Sequence, residues 1–125
     1  MPERNATPPL WNRDVPHDTR SELFDGSGVV RVWALVDAPR APFAAVLACE
    51  LEPGASVGTH VQQQYPELVI AVAGAGSVRV DGERLAFSAG SVIELSLGQT
   101  LSISNASGEE PLRYLIVKTH GFRSG

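Results

Sequence analysis

The sequence predicts an all-β domain, a sandwich or barrel of short strands, and three observations lead there. Apolar runs rich in Val, Ile and Leu recur from Gly28 onward at intervals of about 8–12 residues, separated by Gly, Pro, Asp and Asn. The step Val80-Asp81-Gly82-Glu83 sets Asp-Gly between two alternating runs, which favours a two-residue type I′ hairpin. No stretch keeps a 3.6-residue apolar period over a dozen residues, so no substantial helix is expected. At 125 residues and 43% hydrophobic content the chain suits one domain with one core.

Residues 1–25 read as an N-terminal arm. Pro2, Pro8, Pro9 and Pro16 forbid a long helix there, and no regular core pattern is present. Trp11 is expected to pack against the domain or a partner subunit. The barrel is expected over residues 26–120, followed by a short tail, 121–125. Its strands are predicted at 28–36, 43–52, 55–61, 67–73, 76–80, 83–88, 91–95, 100–105 and 112–119.

Composition excludes several roles. Ten Lys and Arg against fourteen Asp and Glu give a net charge of −4, and the basic residues form no stripe, which argues against nucleic acid as a partner. The longest near-apolar run, Leu68 to Val78, is too short for a bilayer and holds two glycines, and the stretch MPERNATPPLWNRDVPHD is polar and proline-rich and lacks an apolar h-region. No membrane partner is expected, and the cytoplasm is the expected location. The single Cys49 cannot form a disulfide within the chain and reads as a small core residue. The sequons at Asn5 and Asn105 then carry no meaning.

Chemistry concentrates in Gly54–Gly74, GASVGTHVQQQYPELVIAVAG. His60 and Glu67 lie near the ends of two predicted strands joined by the polar turn Gln63-Gln64-Tyr65-Pro66. Adjacent antiparallel strands would hold both side chains on one face, within about 6 Å, close enough for direct or single-water contact. That is the minimal geometry for a metal site or an acid–base pair. Tyr65 is read either as a phenol at the pocket mouth or as an aromatic packed on the rim. Two other matches carry no chemistry. Gly54-Ala55-Ser56-Val57-Gly58 lacks the strand–turn–helix context of a nucleophile elbow, and Gly74-Ala75-Gly76 lacks the third glycine and helix of a dinucleotide fingerprint.

The same stretch resembles the first motif of the cupin superfamily: Gly, five residues, His, one residue, His, three or four residues, Glu, six residues, Gly. Gly54, His60, Glu67 and Gly74 match it, and Gln62 stands at the second His. The second cupin motif is matched loosely by Gly82, Ser88-Ala89-Gly90, Ser96 and Asn105, with Leu101 where the third His belongs. The resemblance, over roughly residues 42–119, implies a double-stranded β-helix, the jelly-roll barrel, and the homodimers common among small cupins.

In that family three His and one Glu hold Fe, Mn, Ni, Cu or Zn. Here the corresponding set is His60, Gln62, Glu67 and Leu101. An amide oxygen is a weaker ligand and leucine is none, so a divalent transition metal (Zn, Fe, Mn or Ni) and no metal at all are both open. Three functions follow: a small-molecule-binding cupin with a weakened or absent metal site; a metal-dependent dioxygenase or isomerase using His60, Gln62 and Glu67; and a metal-free isomerase or epimerase using His60 and Glu67 as acid and base. Leu101 is expected in the floor of the pocket, where it favours a small organic ligand.

Overall fold

Every run read as a strand forms one. The computed structural model describes residues 10–36 and 42–120. Ten strands follow in chain order: β1 (Asp18–Ser21), β2 (Val29–Ala34), β3 (Phe43–Leu51), β4 (Ser56–Val61), β5 (Glu67–Ala73), β6 (Ala75–Val80), β7 (Glu83–Ser88), β8 (Val92–Leu95), β9 (Thr100–Ser104) and β10 (Leu112–Thr119). Among the described residues the only helical element is one 3-10 turn, Leu23–Asp25. The strands form a six-stranded sheet in the order β1-β2-β3-β10-β5-β8 and a four-stranded sheet in the order β4-β9-β6-β7. All pairings are antiparallel. The fold is the expected double-stranded β-helix.

The Asp81-Gly82 hairpin forms as expected. Val80 faces Glu83 across β6 and β7, and both loop residues have positive φ, 50° at Asp81 and 83° at Gly82, as a type I′ turn requires. Asp81 is further held by its carboxylate, which accepts from the Thr100 amide and from Gln99 Nε2, both at 2.9 Å.

Period-2 alternation puts one face of each strand in the core. Leu51, Val69, Phe87, Leu95 and Leu112 are fully buried between the sheets. On the large sheet the register lines up inward side chains in rows: Leu51 beside Leu112, Cys49 beside Tyr114, Leu47 beside Ile116, and last Lys118 beside Glu67. The interior thus runs from an apolar closed end to one ion pair at the open end.

The arm departs from the sequence reading. Its described part contributes a strand, β1, paired with β2, and the 3-10 turn. The preceding residues cross the outer face of the large sheet. Trp11 packs on its own barrel: its Nε1 donates to the Cys49 carbonyl at 2.8 Å, and the Arg113 guanidinium lies 5.9 Å above its ring. Trp33 Nε1 donates to the Asn12 carbonyl at 2.8 Å, and His17 stacks on the Trp33 ring at 4.5 Å. This cover explains why the outward-facing Trp33, Ala48 and Glu50 are buried. Arg13 (2.8 Å) and Arg113 (2.9 Å) neutralise Glu50. The first nine residues of the arm and the tail 121–125 lie outside the described residues.

Candidate functional site

The site lies at the open end, and its parts come from both sheets. The adjacent-strand geometry expected for His60 and Glu67 is corrected here: β4 belongs to the four-stranded sheet and β5 to the six-stranded one. The turn between them crosses from one sheet to the other, so the two side chains approach from opposite walls. The partner of His60 across its own sheet is Leu101 on β9.

Both residues nevertheless line one cavity of about 340 Å³ between the sheets, with Leu101 also in its wall. Val30, Val57, Ile103 and Ile116 make most of that wall apolar, and Cys49 and Tyr114 add a thiol and a phenol. Asp18 and Arg20 of β1 reach its rim. A second, wider cavity of about 670 Å³ lies outside the first and includes Gln62, Gln63, Gln64 and Tyr65. Phe24, His60 and Lys118 border both and so form the neck between them. Tyr65 belongs to this outer vestibule, where its ring meets His120 edge-on at 5.5 Å.

No hydrogen bond or ion pair joins His60 to Glu67. Glu67 has Lys118 as its partner, Nζ to Oε2 3.7 Å, while its buried Oε1 has none. Burial pushes the Glu67 carboxyl above the usual carboxylate range, and Lys118 only partly opposes this. His60 Nδ1 donates to the Gly58 carbonyl at 3.1 Å, and its ring stacks on Phe24 at 4.3 Å. Burial lowers its pKa; the Gly58 carbonyl opposes this, and the nearby Lys118 charge adds to it. The imidazole is therefore neutral at pH 7, and its other nitrogen is a bare acceptor. Burial pushes the Cys49 thiol up to about 12 and the Tyr114 phenol well above its ordinary value, so both stay protonated.

Backbone packing positions the neck. The 3-10 turn lies directly on β4, and a Cβ at Gly58 would collide with the Phe24 carbonyl. Phe24 itself has φ 53° and ψ 42°, a left-handed conformation costly for an aromatic residue. Asn105 closes the opposite end. Its Nδ2 donates to the carbonyls of Leu51, Glu52 and Glu110, and its Oδ1 accepts from the Ser107 amide.

A resident transition metal fits these residues poorly. Among the described residues no three His, Cys, Asp or Glu side chains converge as ligands. Gln62 borders the vestibule and not the inner cavity, Leu101 presents hydrocarbon beside His60, and an ammonium already stands against the Glu67 carboxylate. Of the expected set, His60 and Glu67 line the inner cavity and His60 and Gln62 the vestibule.

Lys118, Phe24 and Tyr114 were not singled out from sequence. For two of them a signal existed: in β10 the alternation Leu112, Tyr114, Ile116, Lys118 puts all four on one face. Phe24 had none, since its place depends on the close approach of two backbones.

Comparison with known proteins follows this geometry. The family described as Cupin domain matches residues 47–118. No curated protein matches the chain. Among solved structures, a protein described as a predicted oxalate decarboxylase from Thermotoga maritima is similar at 23% identity and TM-score 0.80, over 90% of this chain and 98% of that one. A Cupin 2 conserved barrel domain protein from Salinispora arenicola is similar at 26% identity and TM-score 0.70, over 94% of this chain and 92% of that one. A cupin-like protein from Thermotoga maritima is similar at 24% identity and TM-score 0.65, over 75% of this chain and 71% of that one.

Proposed function

The chain belongs to the cupin domain family, and from that premise we propose that it is a small-molecule-binding cupin whose inner cavity takes a compact organic ligand without a resident transition metal. One observation carries the reading: a mostly apolar cavity of about 340 Å³ lined in part by Glu67, a buried carboxylate whose Oε1 has no partner. Ligand sites have this character, mostly apolar with a few placed polar groups. A buried acceptor without a donor costs about 1–3 kcal/mol, so a ligand that supplies the donor gains affinity there. The test is calorimetric titration of chelator-treated protein with small aromatic and alicyclic fragments, beside a Val57→Trp variant that fills the cavity. Saturable binding to the wild type and none to the variant supports the reading. Equal binding to both contradicts it.

A second reading has its own observation. His60 is neutral, with its proton held on Nδ1 by Gly58, while Glu67 is a carboxylate of raised basicity. Two such groups on opposite walls suit a metal-free isomerase or epimerase that removes a proton on one side and returns it on the other. Solvent deuterium entering a bound substrate, lost in both His60→Gln and Glu67→Gln, is its signature.

The partner proposed alongside the ligand is a second copy of the chain. Leu68, Val72 and Val92 stand exposed on the outer face of β5 and β8, the half of the large sheet that the described part of the arm leaves uncovered. Localisation in the cytoplasm remains part of the proposal. Among the described residues no helix is long and apolar enough to cross a membrane.

A further inference from the structure

Lys118 and Glu67 are register partners across β10 and β5, and both line the inner cavity. Glu67 is almost wholly buried, its side chain 1% exposed, and its Oε1 meets no donor. The Lys118 ammonium carries three donors. Its partner among the described residues is Glu67 Oε2 at 3.7 Å, longer than a good hydrogen bond. The neck therefore offers an open acceptor and open donors on neighbouring side chains. Because the two charged groups are so close, a ligand that meets both carries its complementary groups on one atom or on adjacent atoms. Beyond the neck, Val57, Ile103 and Ile116 favour an apolar body, with the Cys49 thiol and the Tyr114 phenol as further polar groups of the wall.

We infer that the ligand is a compact apolar molecule bearing a hydroxyl next to a carbonyl, the carbonyl oxygen accepting from Lys118 Nζ and the hydroxyl donating to Glu67 Oε1. This rests on the cavity being a ligand site, as proposed above. Lys118 then supplies, from within the chain, the positive charge that draws the ligand oxygen. Gln62 Nε2, buried on the vestibule side without an acceptor, extends the same polar seam outward. His60, its ring held by Phe24 and Gly58, forms the opposite side of the neck.

The test uses three probes on the full chain, α-hydroxyacetophenone, its methyl ether and acetophenone, with phenylacetate as a charged comparator. Binding is followed by calorimetry and by methyl shifts of the cavity residues. The hydroxy ketone is expected to bind about tenfold more tightly than either neutral comparator, the usual worth of satisfying one buried polar group. Glu67→Gln should reduce that preference to about twofold, whereas Lys118→Met should weaken all three ketones by about tenfold. Equal affinity for the three probes overturns the inference and leaves the cavity a ligand site. Equal weakening of every probe by Glu67→Gln also overturns it, since the residue would then be only structural. Tighter binding of phenylacetate, insensitive to Glu67→Gln, overturns it in favour of recognition by charge alone. Failure of all these compounds to shift any cavity methyl contradicts both the inference and the binding function beneath it.

Discussion

Single residues set two opposite responses to pH. Burial alone would raise the Glu50 pKa, but hydrogen bonds from Arg13 and Arg113 outweigh it, so the folded value lies below the ordinary 4.5. Stability from Glu50 is thus present above pH 4.5 and lost as pH falls through its depressed folded value. Glu67 has the opposite sign. Its folded pKa is raised, so its ionisation costs nothing below pH 4.5 and destabilises increasingly as pH rises through the folded value. Glu67→Gln is therefore expected to raise the melting temperature at pH 8 and to change it little at pH 4, while losing ligand preference. A lower melting temperature at pH 8 would show that the Lys118 pair outweighs the burial cost. A companion prediction concerns metals. Leu101→His with Lys118→Met gives His60 an imidazole neighbour and removes the ammonium from Glu67, so zinc or nickel titration should become saturable, far beyond the wild type. Of these side chains, His60, Glu67 and Leu101 were legible in the sequence because a spacing resemblance marked them. Lys118 was legible only as one of four alternating positions in a strand, with nothing in the one-dimensional text to show that its row ends at Glu67.

At the scale of elements, the hairpin and the nine runs from Gly28 onward were readable because alternation and turn chemistry are local. The pairing of β4 with β9 and not with β5 was not. It depends on which sheet receives each strand, and that is decided by packing over the whole barrel. The arm was unreadable for a related reason: β1 is four exposed residues, DTRS, with no apolar alternation, and it exists because β2 offers an edge. Two predictions belong here. Trp11→Ala removes a buried-end hydrogen bond and the cover over Arg113, and should cost about 2 kcal/mol in denaturant unfolding. Unchanged stability would mean that Trp11 contributes nothing to the fold. Gly58→Ala forces the 3-10 turn off β4 and with it Phe24 off His60. Besides lowering stability, it should raise the exchange rate of small ligands through the widened neck, measured by NMR line shape; an unchanged rate would show that Phe24 does not limit entry.

For the whole molecule, the two sheets divide the labour. Among the described residues, the outer face of the large sheet is half covered by the arm and half left apolar at β5 and β8, whereas the inner faces enclose a cavity closed at one end and polar at the other. If a second copy covers the apolar half, Val92→Glu should convert a dimer to a monomer in light scattering without disturbing the cavity. The claim that gives the protein its function is that the inner cavity itself is the binding site and needs no metal. Methyl-labelled protein, treated with chelator and titrated with α-hydroxyacetophenone, tests this most directly. Saturable shifts at Val57, Ile103 and Ile116, unchanged by added zinc and abolished in Val57→Trp, are the predicted result. Shifts that appear only after zinc is added, or that fall on the outer sheet face and leave those three methyls still, would contradict it.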